Sequence, residues 1–443
     1  FPTLSSPTYS APITIDTTTV ISATCYSTSN LLPSQKVINI YLINEQDIDL
    51  PVISISTDPY NLWDNDSGIY VFGDNSNAVY PYFGSNFWEP WSKHSHIEFF
   101  DKQRAHQFDK DFDLEIHGGW SRAEPQKSFR VDFKSEYDGP LEYPIIQAKP
   151  NVTNYNNFNL RNGGQHVNDT KIQDAIFQRT VKNTHIDRME YEPCVVFLNG
   201  AYWGIYGIRE KLDEHYIESN YGINSKSIDL LNPASVLSGS DFEFWNMYNY
   251  IINTSATDVD FYDSITSMLD IENYIDYFVT EIHIQNQDFI NDWWTNNLKI
   301  WREQSPESKW RYLLYDTDAG GGYWGQSPNE NYINLVRNPL FNNTPHSDIF
   351  DKLLYNPKIK SFFINRFADL INTIFQANNI QDVGIAMKDS IASDMPRHIN
   401  FWNAPITENH WLNTLQSLLN HMTARVNASR QNINSSFSLN GEV

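Results

Sequence analysis

Three stretches of this chain carry side chains whose types and spacing suit phosphate and cation chemistry. The first is Glu115-Ile116-His117-Gly118-Gly119-Trp120-Ser121-Arg122, leading on to Gln126-Lys127-Ser128-Phe129-Arg130. Paired glycines let backbone N–H groups approach an anion, and a strand-borne lysine can meet a phosphate as a point charge. An ordinary hairpin with an exposed lysine fits the same fragment taken alone. The second stretch, Gln287 to Arg302, places Asp292 five residues before Asn297. Kinase catalytic loops use that order, an Asp base and then an Asn for metal. Asp288 lies in the same stretch without that spacing, so Asp292 is the expected base. A capped polar turn is the alternative. In the third stretch the apolar run Tyr312-Leu313-Leu314-Tyr315 ends in Asp316-Thr317-Asp318, followed by Ala319-Gly320-Gly321-Gly322. Carboxylates at a strand end, projecting into a loop, are a means of holding a divalent ion. Lys127, Asp292, Asn297 and Asp316 thus occur in the order phosphate lysine, base, metal amide, metal carboxylate.

The elements that must position these groups follow from the hydrophobic pattern. Residues 1–45 are β-like: β-branched residues crowd 14–26, and a second run covers 37–43. Further strands are expected at 95–100, 112–117, 128–134, 157–161 and 194–208, the last a hairpin about Asn199-Gly200. Helical spacing predicts helices near 171–183, 211–219, 242–252, 259–268, 271–286, 348–355, 358–374, 378–391 and 409–431. Strands first and helices after predict an α+β fold rather than alternating α/β. The last dozen residues, rich in Asn and Ser, are expected to fray.

Composition narrows the function. The 443 residues carry 54 Asp and Glu against 31 Lys and Arg, a formal net charge of -23 that opposes phosphate backbones and excludes nucleic-acid partners. Only Cys25 and Cys194 are present, far apart, which excludes a thiolate zinc site and a disulfide framework. No run of about 20 apolar residues occurs, so no membrane-spanning helix is expected. The start, Phe1-Pro2-Thr3-Leu4, has the texture of a mature or trimmed chain. The acidity, the rarity of Cys and the abundance of Asn, Ser, Thr and Tyr point to a secreted or surface protein of a bacterium.

The ordered motifs resemble the CotH family, atypical secreted kinases of the spore-coat protein H type. The resemblance rests on His117-Gly118-Gly119 with Ser121-Arg122, Gln126-Lys127-Ser128-Phe129-Arg130, Asn159-Leu160-Arg161-Asn162-Gly163-Gly164 and Phe197-Leu198-Asn199-Gly200. Tyr202-Trp203-Gly204, Glu210-Lys211, Asn291-Asp292-Trp293 with Asn296-Asn297, and Asp316-Thr317-Asp318 complete it. It implies a distant protein-kinase-like fold, with a strand-rich N-lobe and a helix-rich C-lobe, over residues 46–405. Residues 1–45 resemble part of a small β-sandwich module, and 406–443 form a C-terminal helix and tail. The implied activity is Mg²⁺-dependent transfer of the ATP γ-phosphate to Ser or Thr of extracellular or coat proteins, with Mn²⁺ or Ca²⁺ as alternative ions. Lys127 would hold the nucleotide phosphates with Gly118, Gly119, Ser121 and Arg122, and Glu210 would make a hinge or ribose contact. Asp292 would be the base, and Asn297, Asp316 and Asp318 the metal donors. This chain departs from the family in following Asp318 with Ala319 and three glycines instead of an aromatic-Gly pair, so a more mobile loop is expected there.

Two other function classes stay open at this level. One is a non-catalytic surface or adhesion module with a structural Ca²⁺ or Mg²⁺ site, making glycan or cell-surface contacts. The other is a polysaccharide-acting enzyme with a carboxylate pair, Asp288 or Asp292 being essential. Most of the 13 Trp belong in a core, but Trp293-Trp294 beside Asp292 could form a substrate platform. His94 and His96, two apart, fit satisfied strand residues better than ligands.

Overall fold

The computed structural model describes residues 2–27, 32–233 and 235–440. The chain divides into two compact units, each assembled from separate segments.

Unit 1 comprises Phe1–Lys171, Tyr191–Glu210 and Asp389–Glu408. Its strands are β1 (Thr19–Ala23), β2 (Val37–Tyr41), β3 (Val52–Thr57), β4 (Lys93–Phe100), β5 (His106–His117), β6 (Ser128–Asp132), β7 (Leu141–Glu142), β8 (Asn154–Tyr155), β9 (Asn157–Arg161), β11 (Tyr191–Leu198) and β12 (Ala201–Arg209). Seven of them close a barrel in the order β11-β12-β9-β6-β5-β4-β3. Antiparallel pairs make up the wall, and the parallel pairing of β3 with β11, Val52 opposite Val195, seals it. Alternation drives the closure: on β5, Phe112, Leu114 and Ile116 turn inward while Asp111, Asp113 and Glu115 turn outward. Phe129, Val131, Phe158, Leu160, Val196 and Ile208 join them in the core. The β11–β12 hairpin turns on Asn199 and Gly200, both at positive φ (52° and 82°), as a two-residue turn of this twist requires. The first residues form a two-stranded sheet, β1 with β2, whose Ile40 N–H donates to Glu98 of β4 at 2.8 Å. Helices α1 (Pro59–Trp63) and α11 (Met395–Trp402) complete the unit.

Unit 2 comprises Ile172–Glu190, Lys211–Lys388 and Asn409–Val443. It contains α2 (Gln173–Thr180), α3 (Glu214–Tyr221), α4 (Phe242–Asn253), α5 (Phe261–Met268), α6 (Ile271–Ile284), α7 (Tyr332–Arg337), α8 (Pro345–Leu353), α9 (Pro357–Asn372), most of α10 (Ala377–Asp389) and all but the first residue of α12 (Glu408–Phe437). A five-stranded sheet runs β10 (Asp187–Arg188), β16 (Arg311–Leu314), β15 (Lys299–Glu303), β13 (Ile228–Leu231), β14 (Val236–Ser238). Helix α6 is the axis: from Asn273 to Ile284 every residue is buried, so it is covered on all sides. Asp270 caps its first turn by accepting from Asn273 N, and Gln285 ends it in the left-handed region at φ 56°. The buried Asp276 carboxylate is paired with Arg366.

The α+β character expected from the pattern is present. Closure of the strands into a barrel was not expected, nor was the β13–β14 pair. The C-terminal helix continues to Phe437, beyond the anticipated 431, so the first half of the Asn- and Ser-rich tail is helical; residues 441–443 lie outside the described ones.

Candidate functional site

The Gly-Gly turn of unit 1 is shaped by a close contact. Gly118 has φ 109°, and a Cβ there would lie 2.6 Å from Ser121 Oγ; around Gly119 a Cβ would meet nothing within 4 Å. Only the first glycine is demanded by the fold itself. The second leaves open backbone at the tip. Residues Trp120–Ala123 then form a short 3₁₀ turn. Arg122 folds back onto it, donating from Nε to Gly118 O at 2.5 Å and from Nη1 to Phe87 O at 3.2 Å.

Lys127 closes the turn. It is 4 % exposed, and its ammonium donates to Arg122 O at 2.7 Å and Glu124 O at 3.2 Å, with the Phe87 ring 3.7 Å away. Burial pulls its pKa down to about 7, against a partial pull upward from Glu124. The residues around it are knitted together. Asn162 Nδ2 donates to Gln126 O, Lys171 Nζ donates to Gln126 Oε1 and Asn162 O, and Tyr206 donates to Lys127 O. Asn162 also accepts from Gly164 N at 2.8 Å and exchanges bonds with Ser128, its N donating to Ser128 Oγ and Ser128 Oγ donating to its Oδ1, which ties the Asn162-Gly163-Gly164 motif to Gln126-Lys127-Ser128. Glu210, expected near a hinge or ribose, is buried, with its carboxylate accepting from Lys149 Nζ at 2.7 and 2.9 Å.

Unit 2 gathers the acidic residues at the C-terminal end of α6. The loop Gln285–Leu298 folds back on itself through an Asn291 turn and an Ile290–Thr295 bridge. This return brings Asp288, not Asp292, onto Asn297: Asp288 accepts from Asn297 Nδ2 at 2.9 Å, Asn296 Nδ2 at 3.2 Å and Trp294 Nε1 at 2.9 Å. Burial raises the Asp288 pKa and Asp318 raises it further, with the three donors opposing. Asp292 instead accepts from Leu340 N at 2.8 Å, and its carbonyl accepts from Phe341 N. Asn297 Nδ2 also donates to Asp316 O at 3.4 Å, leaving Oδ1 as its acceptor atom.

Asp316 takes a left-handed conformation, φ 52°, at the start of the 3₁₀ turn Thr317–Ala319. Asp174 of α2 fixes that turn, accepting from both Thr317 N and Thr317 Oγ1 at 2.9 Å. Asp318 is 3 % exposed. Glu281 is fully buried, and burial together with Asp174 and Asp288 pushes its pKa up to about 8, against the opposing pull of the nearby Asn286 and Tyr277 side chains. The segment after Asp318 is packed: a Cβ on Gly320 would meet Phe177 at 3.1 Å, and one on Gly321 would meet Leu418 at 2.4 Å. The three glycines therefore serve close approach to α2 and α12, where a mobile loop was expected.

A family model described as CotH kinase protein matches residues 114–428. The chain belongs to the CotH kinase protein family. Comparison with curated proteins gives no match. A kinase family implies kinase-type phosphotransfer with ATP and a divalent metal. In this CotH kinase protein the donor set suits such an ion: Asp316, Asp318 and the Asn297 amide are hard oxygen donors. Among the described residues no three His, Cys, Asp or Glu side chains form a ready metal cage. Asp174, Lys171 and Glu281 escaped sequence reasoning. Their only signal is being charged residues inside apolar helical or turn segments. No described helix is long and apolar enough to cross a membrane.

Proposed function

We propose that this chain transfers the γ-phosphoryl group of Mg·ATP to a Ser or Thr hydroxyl of a protein, with Asp288 rather than Asp292 as the base. The observation that supports the choice is the 2.9 Å bond from Asn297 to Asp288, which joins base and metal amide in one loop. Asp288 accepts the hydroxyl proton as the acceptor oxygen bonds to the γ-phosphorus and the bond to the β-phosphate oxygen breaks, releasing ADP. Its raised pKa lowers the cost of taking up that proton. Asn297, Asp316 and Asp318 would hold the divalent ion, which supplies charge neutralisation at the phosphates. Lys127, Arg122 and the open backbone at Gly119 would bind the nucleotide phosphates, and Lys127 must leave the carbonyls of Arg122 and Glu124 to do so. Phosphate contact would restore the charge that burial weakens.

The strongly acidic surface and the family's coat association support a secreted or surface location, with a Ser/Thr-rich acceptor protein. The test is labelling of the chain itself or of a Ser-rich protein by γ-labelled ATP with Mg²⁺ or Mn²⁺, beside calorimetric titration with ATP. Absence of ATP binding at millimolar nucleotide sinks the proposal. Metal-dependent melting without any phosphotransfer would favour the adhesion module instead.

A further inference from the structure

The segment after Asp318 is tied to the end of α6 and to α12, all within unit 2. Gly321 N donates to Ile284 O at 2.7 Å, and Gln287 N donates to Ala319 O at 3.2 Å, so the catalytic loop and the 3₁₀ turn are stitched at their roots. Beyond Gly321 the backbone bonds are local turns, Tyr323 N to Gly320 O, Gly325 N to Gly322 O and Glu330 N to Ser327 O, and side chains of α12 tie the segment to α6. Arg425 is 0 % exposed. Its guanidinium reaches carbonyls from two segments: His283 O (3.0 Å) and Ile282 O (3.3 Å) at the end of α6, Pro328 O (2.5 Å) and Glu330 O (3.2 Å) in the loop. Asn432 Nδ2 donates to the same Glu330 O at 2.9 Å. His421 hydrogen-bonds Gln285 Oε1 at 2.8 Å, and Gln285 Nε2 donates to Ser327 O at 3.0 Å.

A buried guanidinium is costly to desolvate unless its fork of donors is filled. Here backbone carbonyls of two segments fill it, so the charge is committed to holding those segments in one arrangement. Regulated kinases often order the equivalent segment with a phosphate, which creates new arginine pairs on it. Arg425 performs that ordering from a helix of the same unit, with carbonyl oxygens in place of a phosphate.

We propose that Arg425 is a positioning residue that clamps the loop Gly320–Asn331 to the end of α6 from which the base-bearing loop departs, so that the enzyme is ordered without a phosphate on that segment. The proposal rests on the phosphotransfer reading above, and its test separates the two. Hydrogen exchange and phosphotransfer are measured on the full chain, for wild type, Arg425→Gln and the milder Asn432→Ala. In Arg425→Gln, amides across 320–331 exchange about tenfold faster or more, as expected for lost charge-assisted bonds, while the barrel strands keep their protection. Asn432→Ala shows a smaller acceleration confined to the neighbourhood of Glu330. In Arg425→Gln kcat falls about tenfold or more while KM for ATP stays within about twofold, and phosphatase-treated wild type keeps its full rate.

Unchanged exchange at 320–331 in Arg425→Gln overturns the clamp, and so does loss of rate when wild type is dephosphorylated. If Arg425→Gln does not fold, Asn432→Ala decides, and unchanged exchange around Glu330 refutes the proposal. If wild type transfers no phosphate with any divalent ion, the phosphotransfer reading falls, and the exchange pattern then decides the clamp alone.

Discussion

Replacing Asp288 and Asp292 separately by Asn distinguishes a base chosen by spacing along the chain from one chosen by position in space. At Asp288 the substitution keeps one acceptor oxygen for the donors from Trp294, Asn296 and Asn297, but the amide cannot take up a proton. Loss of a general base costs about 10²- to 10⁴-fold in rate, so kcat of Asp288→Asn falls at least about a hundredfold. Its stability changes little, because burial and Asp318, which act against the Asp288 charge, are set against the three hydrogen bonds that favour it. At Asp292 the single side-chain bond is the one accepted from Leu340 N, and an Asn oxygen can accept it equally. The stability change there stays within about 1 kcal/mol, and kcat within about threefold, since no bond to Asn297 is touched. Initial rates with γ-labelled ATP at saturating Mg²⁺, paired with thermal melts, measure both quantities. Should Asp292→Asn abolish transfer while Asp288→Asn leaves it near wild type, the spatial reasoning is refuted and the kinase-type spacing is restored.

Other consequences are open to measurement. Glu281 has its pKa raised from an ordinary 4.5 to about 8, so the unfolded chain ionises first and stability is lost as pH climbs from 4.5 through 8. Glu281→Gln removes that loss: its stability should match wild type near pH 5 and exceed it progressively by pH 8, by up to about 1.4 kcal/mol per pH unit, read in thermal melts. A widening difference in the opposite sense would contradict the buried protonated carboxyl. Gly118→Ala should cost about 1–3 kcal/mol of stability, read as a lower melting point, given φ 109° and the contact with Ser121. Gly119→Ala should leave melting unchanged yet weaken ATP binding in calorimetry, and equal ATP affinity would remove Gly119 from the phosphate site. Lys149→Met strips the ammonium from buried Glu210 and should cost about 3 kcal/mol in denaturant unfolding. The double variant with Glu210→Gln should recover part of that loss.

Local signals carried much of the architecture. The strand Asn157–Arg161, the Asn199-Gly200 hairpin and helix α6 follow from alternation, turn chemistry and helical period, all of which are written within a few residues. The barrel is different in kind. Its closing pair joins Val52 to Val195, and nothing in either strand names its partner, because fully buried strands on the same core differ little in composition. The Asp288–Asn297 contact escapes a count along the chain for a related reason. Asp292 and Asn297 stand five apart in the chain, and in an uninterrupted loop that count would stand for a distance. Here Asn291 turns the backbone, its side chain accepting from Trp293 N and Trp294 N, and Ile290 pairs with Thr295. The residues between form a small protrusion carrying Trp293 and Trp294, and Asp292 leaves with it to cap the chain at Leu340. Asp288 and Asn297, nine apart, are the residues at its base and meet at 2.9 Å. Once a protrusion enters such a loop, the separation across its neck, and not the count of residues, decides which carboxylate lies beside Asn297. The same logic governs the glycines after Asp318. Read along the chain they predict slackness, whereas in space they are the only side chains small enough for the approach of Phe177 and Leu418.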